Sequence, residues 1–178
     1  PGSYSLIGSN SIGTLLSSGQ IGPLTVLDTT SLSVSSIDST GLIHLSTKGK
    51  LSDLTILPGS TIKSSATGAA VVLAAENRFI NYAGASAVMT PNGVWRIFSN
   101  SPDSDVFGGL DSNQTAIWSA TDSLADDNET VSGNRYLFSY TPVLTFTSEN
   151  LSKTYGVDVT PSLSAAYSVK GYQQGVVG

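Results

Sequence analysis

The chain has 178 residues, a mass of 18.3 kDa, a formal net charge of −5 and only 12% charged residues, which suits one compact domain or a stack of repeats. Three Glu, five Lys and three Arg are too few to line helix surfaces, and Ser and Thr together make up about a quarter of the chain, so the predicted class is all-β. No Lys/Arg cluster offers itself to a phosphate backbone, no apolar run of 18 residues marks a membrane span, and no Cys is present for disulfide or thiolate chemistry.

The first element of organisation is a repeat. A shift of nineteen residues superposes Gly22 on Gly41, Leu24 on Ile43, Val26 on Leu45, Leu32 on Leu51 and Ile37 on Ile56. The same shift places Ile7 under Val26 and Leu15 under Val34, and carries Ile43 forward to Ile62. Such an offset lies in the range of solenoid repeats. Within it, apolar residues come in alternating pairs, Leu24-Thr-Val26, Leu32-Ser-Val34, Ile43-His-Leu45 and Leu54-Thr-Ile56, the two-residue period of half-buried strands. Gly22-Pro23, Asp38 to Gly41, Lys48-Gly49-Lys50 and Pro58-Gly59 punctuate them with turn chemistry, too closely spaced for helical crossovers. Short strands wound into stacked coils fit this spacing, with Leu, Ile and Val inward and Ser and Thr outward. The predicted architecture is a right-handed parallel β-helix.

From about Gly68 the nineteen-residue register loosens. Val71 to Ala75, Phe79-Ile80 and Val94 to Phe98 bring in larger apolar and aromatic residues, expected to plug the final coil and cap its exposed strand edges. Pro91-Asn92-Gly93 predicts a turn ahead of the Trp95 strand. Asp103 to Asp111 reads as a loop, Ile117-Trp118 and Tyr136-Leu137-Phe138 as further strands, and Asp122 to Thr130 as a polar excursion between them. The expected division is residues 1–98 as β-helix coils, 99–142 as a capping, loop-rich β region and 143–178 as the incomplete beginning of a small β domain. With neither a basic n-region nor an apolar h-region at its start, the chain is expected to begin inside a longer protein.

The run GAAVVLAAENRFINYAGASAVMTPNGVWRIFSNSPDSDVFGGLDSNQTAIW, followed by GNRYLFSYTPVLTFTSENLSKTYG, resembles the distal region of filamentous-haemagglutinin-like adhesins exported by two-partner secretion in Gram-negative bacteria. The resemblance spans about Gly68 to Gly156, half the chain. It implies a β-helical shaft ending in this region and leading into an MBG- or YDG-type domain, whose start would be Leu144-Thr-Phe146 and Lys153-Thr-Tyr155-Gly156, with Gly171 further on. It also implies a secreted, cell-surface location, an outer-membrane secretion partner for the parent protein, and host-cell, matrix or polysaccharide ligands. The residues after Gly156 depart from the acidic or proline-rich continuation typical of that family.

Candidate sites are then few. Parallel β-helices also carry polysaccharide lyases and hydrolases, whose chemistry needs carboxylates or bases converging from neighbouring coils. Asp28, Asp38 and Asp53 occupy no equivalent positions of the repeat, and His44, between inward Ile43 and Leu45, is expected to face outward as a surface residue. A stacked row of acidic and basic residues would favour an enzyme, and a shallow aromatic groove a carbohydrate-binding module.

Asp103, Asp105 and Asp111 are the candidate calcium ligands, and Asp122, Asp126, Asp127 and Glu129 form a second acidic group. The Asp-x-Asp start lacks the rest of a calcium loop, so the expected role is that of solvated turn residues. Asn113, Asn128 and Asn150 head Asn-x-Ser/Thr sequons, which the resemblance makes candidate glycosylation sites. Trp95 and Phe98 are expected in the core, while Tyr140 and Tyr172 are the candidate ligand contacts. No cofactor is expected. The resulting expectation is a non-enzymatic structural and adhesive segment.

Overall fold

A computed structural model describes residues 2–123, 132–149, 152, 154–156, 158, 160 and 167–170. The chain forms two compact units, divided between Tyr140 and Thr141.

The first unit is a right-handed parallel β-helix with an aromatic cap. Its first coil contains β1 (Tyr4–Asn10), β2 (Thr14–Leu15) and β3 (Gln20–Ile21), and its second β4 (Leu24–Asp28), β5 (Leu32–Val34) and β6 (Ile37–Ser39). The third holds β7 (Ile43–Thr47), β8 (Leu54–Ile56) and β9 (Ile62–Ser64), and the fourth β10 (Gly68–Ala74), β11 (Phe79–Asn81) and β12 (Val88–Met89). A fifth begins with β13 (Gly93–Ser99) and continues through a short 3₁₀ turn, Pro102–Ser104, to a single bridge between Val106 and Ile80. β14 (Ala116–Trp118) and β15 (Arg135–Phe138) follow.

Each strand pairs in parallel with its equivalent one coil away, giving three sheets in the orders β1-β4-β7-β10-β13-β15-β14, β2-β5-β8-β11 and β3-β6-β9-β12. β15, later in sequence, inserts between β13 and β14.

Register turns the alternating pairs into columns. On the long sheet Leu24, Ile43, Val71 and Trp95 stack, and beside them Val26, Leu45, Leu73, Ile97 and Tyr136. The second sheet contributes Leu32, Leu54 and Phe79, and the third Ile37, Ile62 and Val88. All are buried, and each such side chain contributes about 1.5–3 kcal/mol when fully removed from water.

Where polar residues take inward positions near a corner, they serve the turns. The Ser39 hydroxyl donates to the Gly22 and Gly41 carbonyls, and that of Ser64 to Gly41 (2.7 Å). Asp28, fully buried, accepts from the backbone N–H groups of Ile12 and Thr30, each at 2.7 Å.

The repeat holds only in part. The nineteen-residue step is correct for Leu24–Ile43, Val26–Leu45 and Leu15–Val34. Leu32, however, pairs with Leu54 and Ile37 with Ile62, while Leu51 is 80% exposed, and Leu6 rather than Ile7 lies under Val26. Ile43 meets Val71 next, not Ile62, which belongs to another sheet. The physical reason is that the corners change length: the Lys48-Gly49-Lys50 and Pro58-Gly59 turns push out extra residues while the strands stay in register.

The same growth explains the loosening at Gly68. Val71 to Ala75, Phe79-Ile80 and Val94 to Phe98 do not end the stack; they are its fourth and fifth coils. The cap lies further on, where Trp95, Phe107, Tyr136, Phe138 and Trp118 gather with ring centroids 4.5–6.4 Å apart. Burial pushes the Tyr136 phenol pKa up, the charges of Asp105 and Asp111 adding to it, and its hydroxyl donates to the Leu110 carbonyl at 3.0 Å.

The second unit, Thr141–Gln174, contains an antiparallel pair, β16 (Thr145–Ser148) and β17 (Tyr167–Lys170), with Phe146 opposite Val169. Both strands are exposed throughout, Phe146 to 68%.

Candidate functional site

One polar cluster of the β-helix lies on the corner between the first and second sheets, where three successive coils bring Asp53, Arg78 and Asp105 together. Asp53 Oδ1 accepts from Asn77 Nδ2 (2.7 Å) and from the Arg78 backbone N–H (3.2 Å). Asp105 Oδ1 accepts from the Phe79 N–H (2.9 Å) and Oδ2 from the Ser99 hydroxyl. The Arg78 guanidinium donates through Nε to the Ser104 carbonyl at 2.9 Å. Burial pushes the Asp105 carboxyl up to about 7; the Asp53 charge adds to the rise, while the Ser99 hydroxyl, the Phe79 N–H and Arg78 oppose it. A proton held near neutrality is what a general acid needs. Here, though, both carboxyl oxygens already serve internal donors, Oδ1 the Phe79 N–H of the coil below and Oδ2 the Ser99 hydroxyl of its own coil.

The acidic loop therefore splits. Asp103 is exposed, Asp111 is exposed and accepts from the Asn113 N–H at 2.6 Å, and Asp105 turns into the coil stack instead of being the solvated turn residue expected of it. Among the described residues no three His, Cys, Asp or Glu side chains gather in a metal-binding group. Asn113 is exposed with a left-handed backbone (φ 57°), and Thr115 of the same sequon donates to the Ser112 carbonyl. Asn128, Asn150, Tyr172, Asp126, Asp127 and Glu129 lie outside the described residues.

No family model matches the chain, and it has no significant match among curated proteins or among solved structures.

The outer face of the long sheet holds a second cluster that the sequence reading missed. His44 does point away from the coil interior, yet it is only 6% exposed. The expectation of a surface residue is thus overturned. Its Nε2 lies 3.1 and 3.2 Å from the two carboxylate oxygens of Asp122, seventy-eight positions away. Val72, Ala74, Phe98 and Leu137 form an apolar cluster on that same face, with Ile117 and Ala120 packed against it. Phe98 is buried there rather than in the interior that holds Trp95. Arg96 donates to the carbonyls of Trp95 and Gly133, and burial, followed by the charge of Arg135, lowers its pKa.

Between this face and the corner, a cavity of about 240 Å³ is lined by Thr47, Lys48, Glu76, Ser99, Thr121 and Asp122, among others. The sequence signal for such a cover is the apolar character of Val72, Phe98 and Leu137 at outward positions, where Ser or Thr would be expected in an uncovered coil. Of the aromatic candidates, Trp95 and Tyr136 are buried, and Tyr140 is 38% exposed with its ring edge-on to Trp118 at 6.5 Å. No helix among the described residues is long and apolar enough to cross a membrane.

Proposed function

We propose that this chain is a structural and adhesive segment of a large secreted bacterial surface protein of the filamentous-haemagglutinin type, and that it is not an enzyme. The observation that carries this reading is the coil stack itself: five levels of parallel strands whose shared columns end in an aromatic cap, followed by a separate small β unit. That order is the one the resemblance over Gly68 to Gly156 implies. In such a segment the work is mechanical, because pulling or proteolysis must break coil-to-coil hydrogen bonds and apolar columns together. In the parent protein an outer-membrane partner would export the chain, and exposed side chains such as Tyr140 would meet host, matrix or polysaccharide ligands.

Single-molecule pulling between the two ends of the β-helix tests the mechanical role: unfolding in coil-sized steps at high force is expected, and a single low-force event would overturn it. Binding of the folded chain to a glycan or matrix-protein array tests the adhesive role.

A carbohydrate-active β-helix is the competing reading, and the Asp53–Arg78–Asp105 stack is what favours it. That reading requires turnover of a polysaccharide, abolished by Asp105→Asn in a folded protein. Unsaturated or reducing sugar ends released from a panel of acidic polysaccharides would replace our reading with it.

A further inference from the structure

The cavity of about 240 Å³ lies just past the C-terminal ends of four neighbouring strands of the long sheet: β7 ends at Thr47, β10 at Ala74 and β13 at Ser99, while Ser139 directly follows β15. Its remaining wall is a strap. After β14 the chain turns back across the sheet, held where the Ala120 N–H donates to the Phe138 carbonyl (3.0 Å) and where Asp122 meets His44. Both anchors belong to the folded chain, so the wall stands before any ligand arrives.

The lining has two kinds of surface. Ala74, Ala75 and Phe98 supply an apolar floor, each less than a tenth exposed. Lys48, Glu76, Thr121 and Ser139, all exposed, supply a cation, an anion and two hydroxyls. Other polar groups there are already committed: Asp122 to His44, the Thr47 hydroxyl to the Ser52 carbonyl and the Glu76 N–H, and the Ser99 hydroxyl to Asp105. The Lys48 ammonium and the Glu76 carboxylate, in contrast, form no hydrogen bond or ion pair among the described residues, with each other or with any neighbour. One is left to donate and the other to accept.

We propose that this cavity binds a single uncharged pyranose unit of a glycan. Such a site supplies the ligand class of the adhesive role proposed above and rests on that reading. Glu76 and Asp122 oppose an anion and Lys48 opposes a cation, which leaves a ligand without net charge. A hydroxyl both donates and accepts, so adjacent sugar hydroxyls satisfy Glu76 and Lys48 at once through charge-assisted hydrogen bonds. The C–H face of the ring covers the apolar floor. At about 240 Å³ the cavity falls below the range of roughly 300–1,000 Å³ that holds drug-sized ligands, so it admits one ring and reads a glycan at a chain end or branch.

Titration of the intact, isotope-labelled chain with the methyl glycosides of neutral hexoses and N-acetylhexosamines, followed by amide correlation spectra, tests this. The expected result is saturable shifts with at least one glycoside at the Ala75, Glu76, Thr121 and Ser139 amides, and none at Ser33 or Thr55 of the second sheet. Lys48→Ala and Glu76→Ala each remove a charge-assisted hydrogen bond and are expected to weaken binding about tenfold. Lys50→Ala, on the same turn but outside the cavity, leaves it unchanged. Circular dichroism melts establish that the variants fold, and should one fail to, the shift map of the unaltered chain still decides. Shifts that map elsewhere, that survive both cavity variants, or that arise at the cavity from glycine or inorganic phosphate alone would overturn the proposal. So would silence with every glycoside. Capture of the chain on the glycan or matrix-protein array in that last case sinks this site and spares the adhesive role, whereas silence in both experiments sinks the two together.

Discussion

Asp105 couples the stability of the coil stack to pH. Its carboxyl is raised from 3.8 to about 7, so between those values the folded protein holds a proton that the unfolded chain has released. The folded state binds more protons there, and stability falls as pH rises from about 4 to about 7, then levels off. At about 1.4 kcal/mol per unit the span amounts to a few kcal/mol. Asp105→Asn keeps an acceptor for the Phe79 N–H and a donor toward Ser99. It is expected to flatten the slope and to exceed the parent in stability at pH 8, as urea titrations at pH 4.5 and 8 would show.

Asn81 is the second polar residue on which the stack depends. It occupies the inward column above Ile56, is 1% exposed, donates to the Gly84 and Phe107 carbonyls and accepts from the Ala83 N–H. Asn81→Ala strands the Ala83 N–H and takes one of two donors from each of the Gly84 and Phe107 carbonyls, which keep the N–H groups of Ala87 and Leu110, and is expected to cost about 1–3 kcal/mol by denaturant unfolding. Gly108, at φ 63°, passes so close that a Cβ would sit 2.5 Å from Asn81 Nδ2, which ties this pair of residues to one conformation.

Between elements, the decisive contacts are those that no local pattern announces. The segment after β14 reaches back to the third coil, where Asp122 meets His44, both side chains under a tenth exposed. Removing one partner strands the other in a buried site, so His44→Ala and Asp122→Ala are each expected to cost about 3 kcal/mol. The double variant is expected to cost much less than their sum. A double-mutant cycle measures this coupling, and hydrogen exchange at Ala120 reads the loosening directly. Corners impose a second constraint. At Gly93 a Cβ would lie 2.6 Å from the Gly68 carbonyl oxygen and 2.8 Å from that of Ala66. Because these are backbone atoms that hold the coil below, Gly93→Ala is expected to destabilise by about 1–3 kcal/mol in thermal melts.

At the scale of the chain, the two units should differ sharply in stability. The β-helix buries columns from three sheets and closes them with aromatic rings, whereas β16 and β17, among the described residues, pair only with each other and are exposed on both faces. Two strands without a packed face are marginally stable in water. Amide exchange at Thr145–Ser148 is therefore expected to be orders of magnitude faster than at Ile43–Thr47, and uniformly slow exchange in both would contradict this account. Proteolysis is expected to cut the second unit first and leave a resistant core ending near Tyr140.

The all-β class, the alternation of inward and outward residues and the coiled stack were legible in the sequence, because strand pleating is a local property that repeats wherever a short Leu-x-Val pair recurs. Turn residues marked the corners for the same reason. The true register was not legible past the first corner of the third coil: Leu32 meets Leu54 only because the Lys48-Gly49-Lys50 turn bulges outward, and a bulge has no fixed length in sequence. Nor could sequence spacing reveal that Phe98 faces a covered outer surface, that Asp105 turns inward while Asp103 stays in water, or that His44 and Asp122 close on each other. These were decided by the fold, since burial and ion pairing depend on which coils become neighbours, and neighbours in a solenoid are set by hydrogen bonding between levels rather than by distance along the chain.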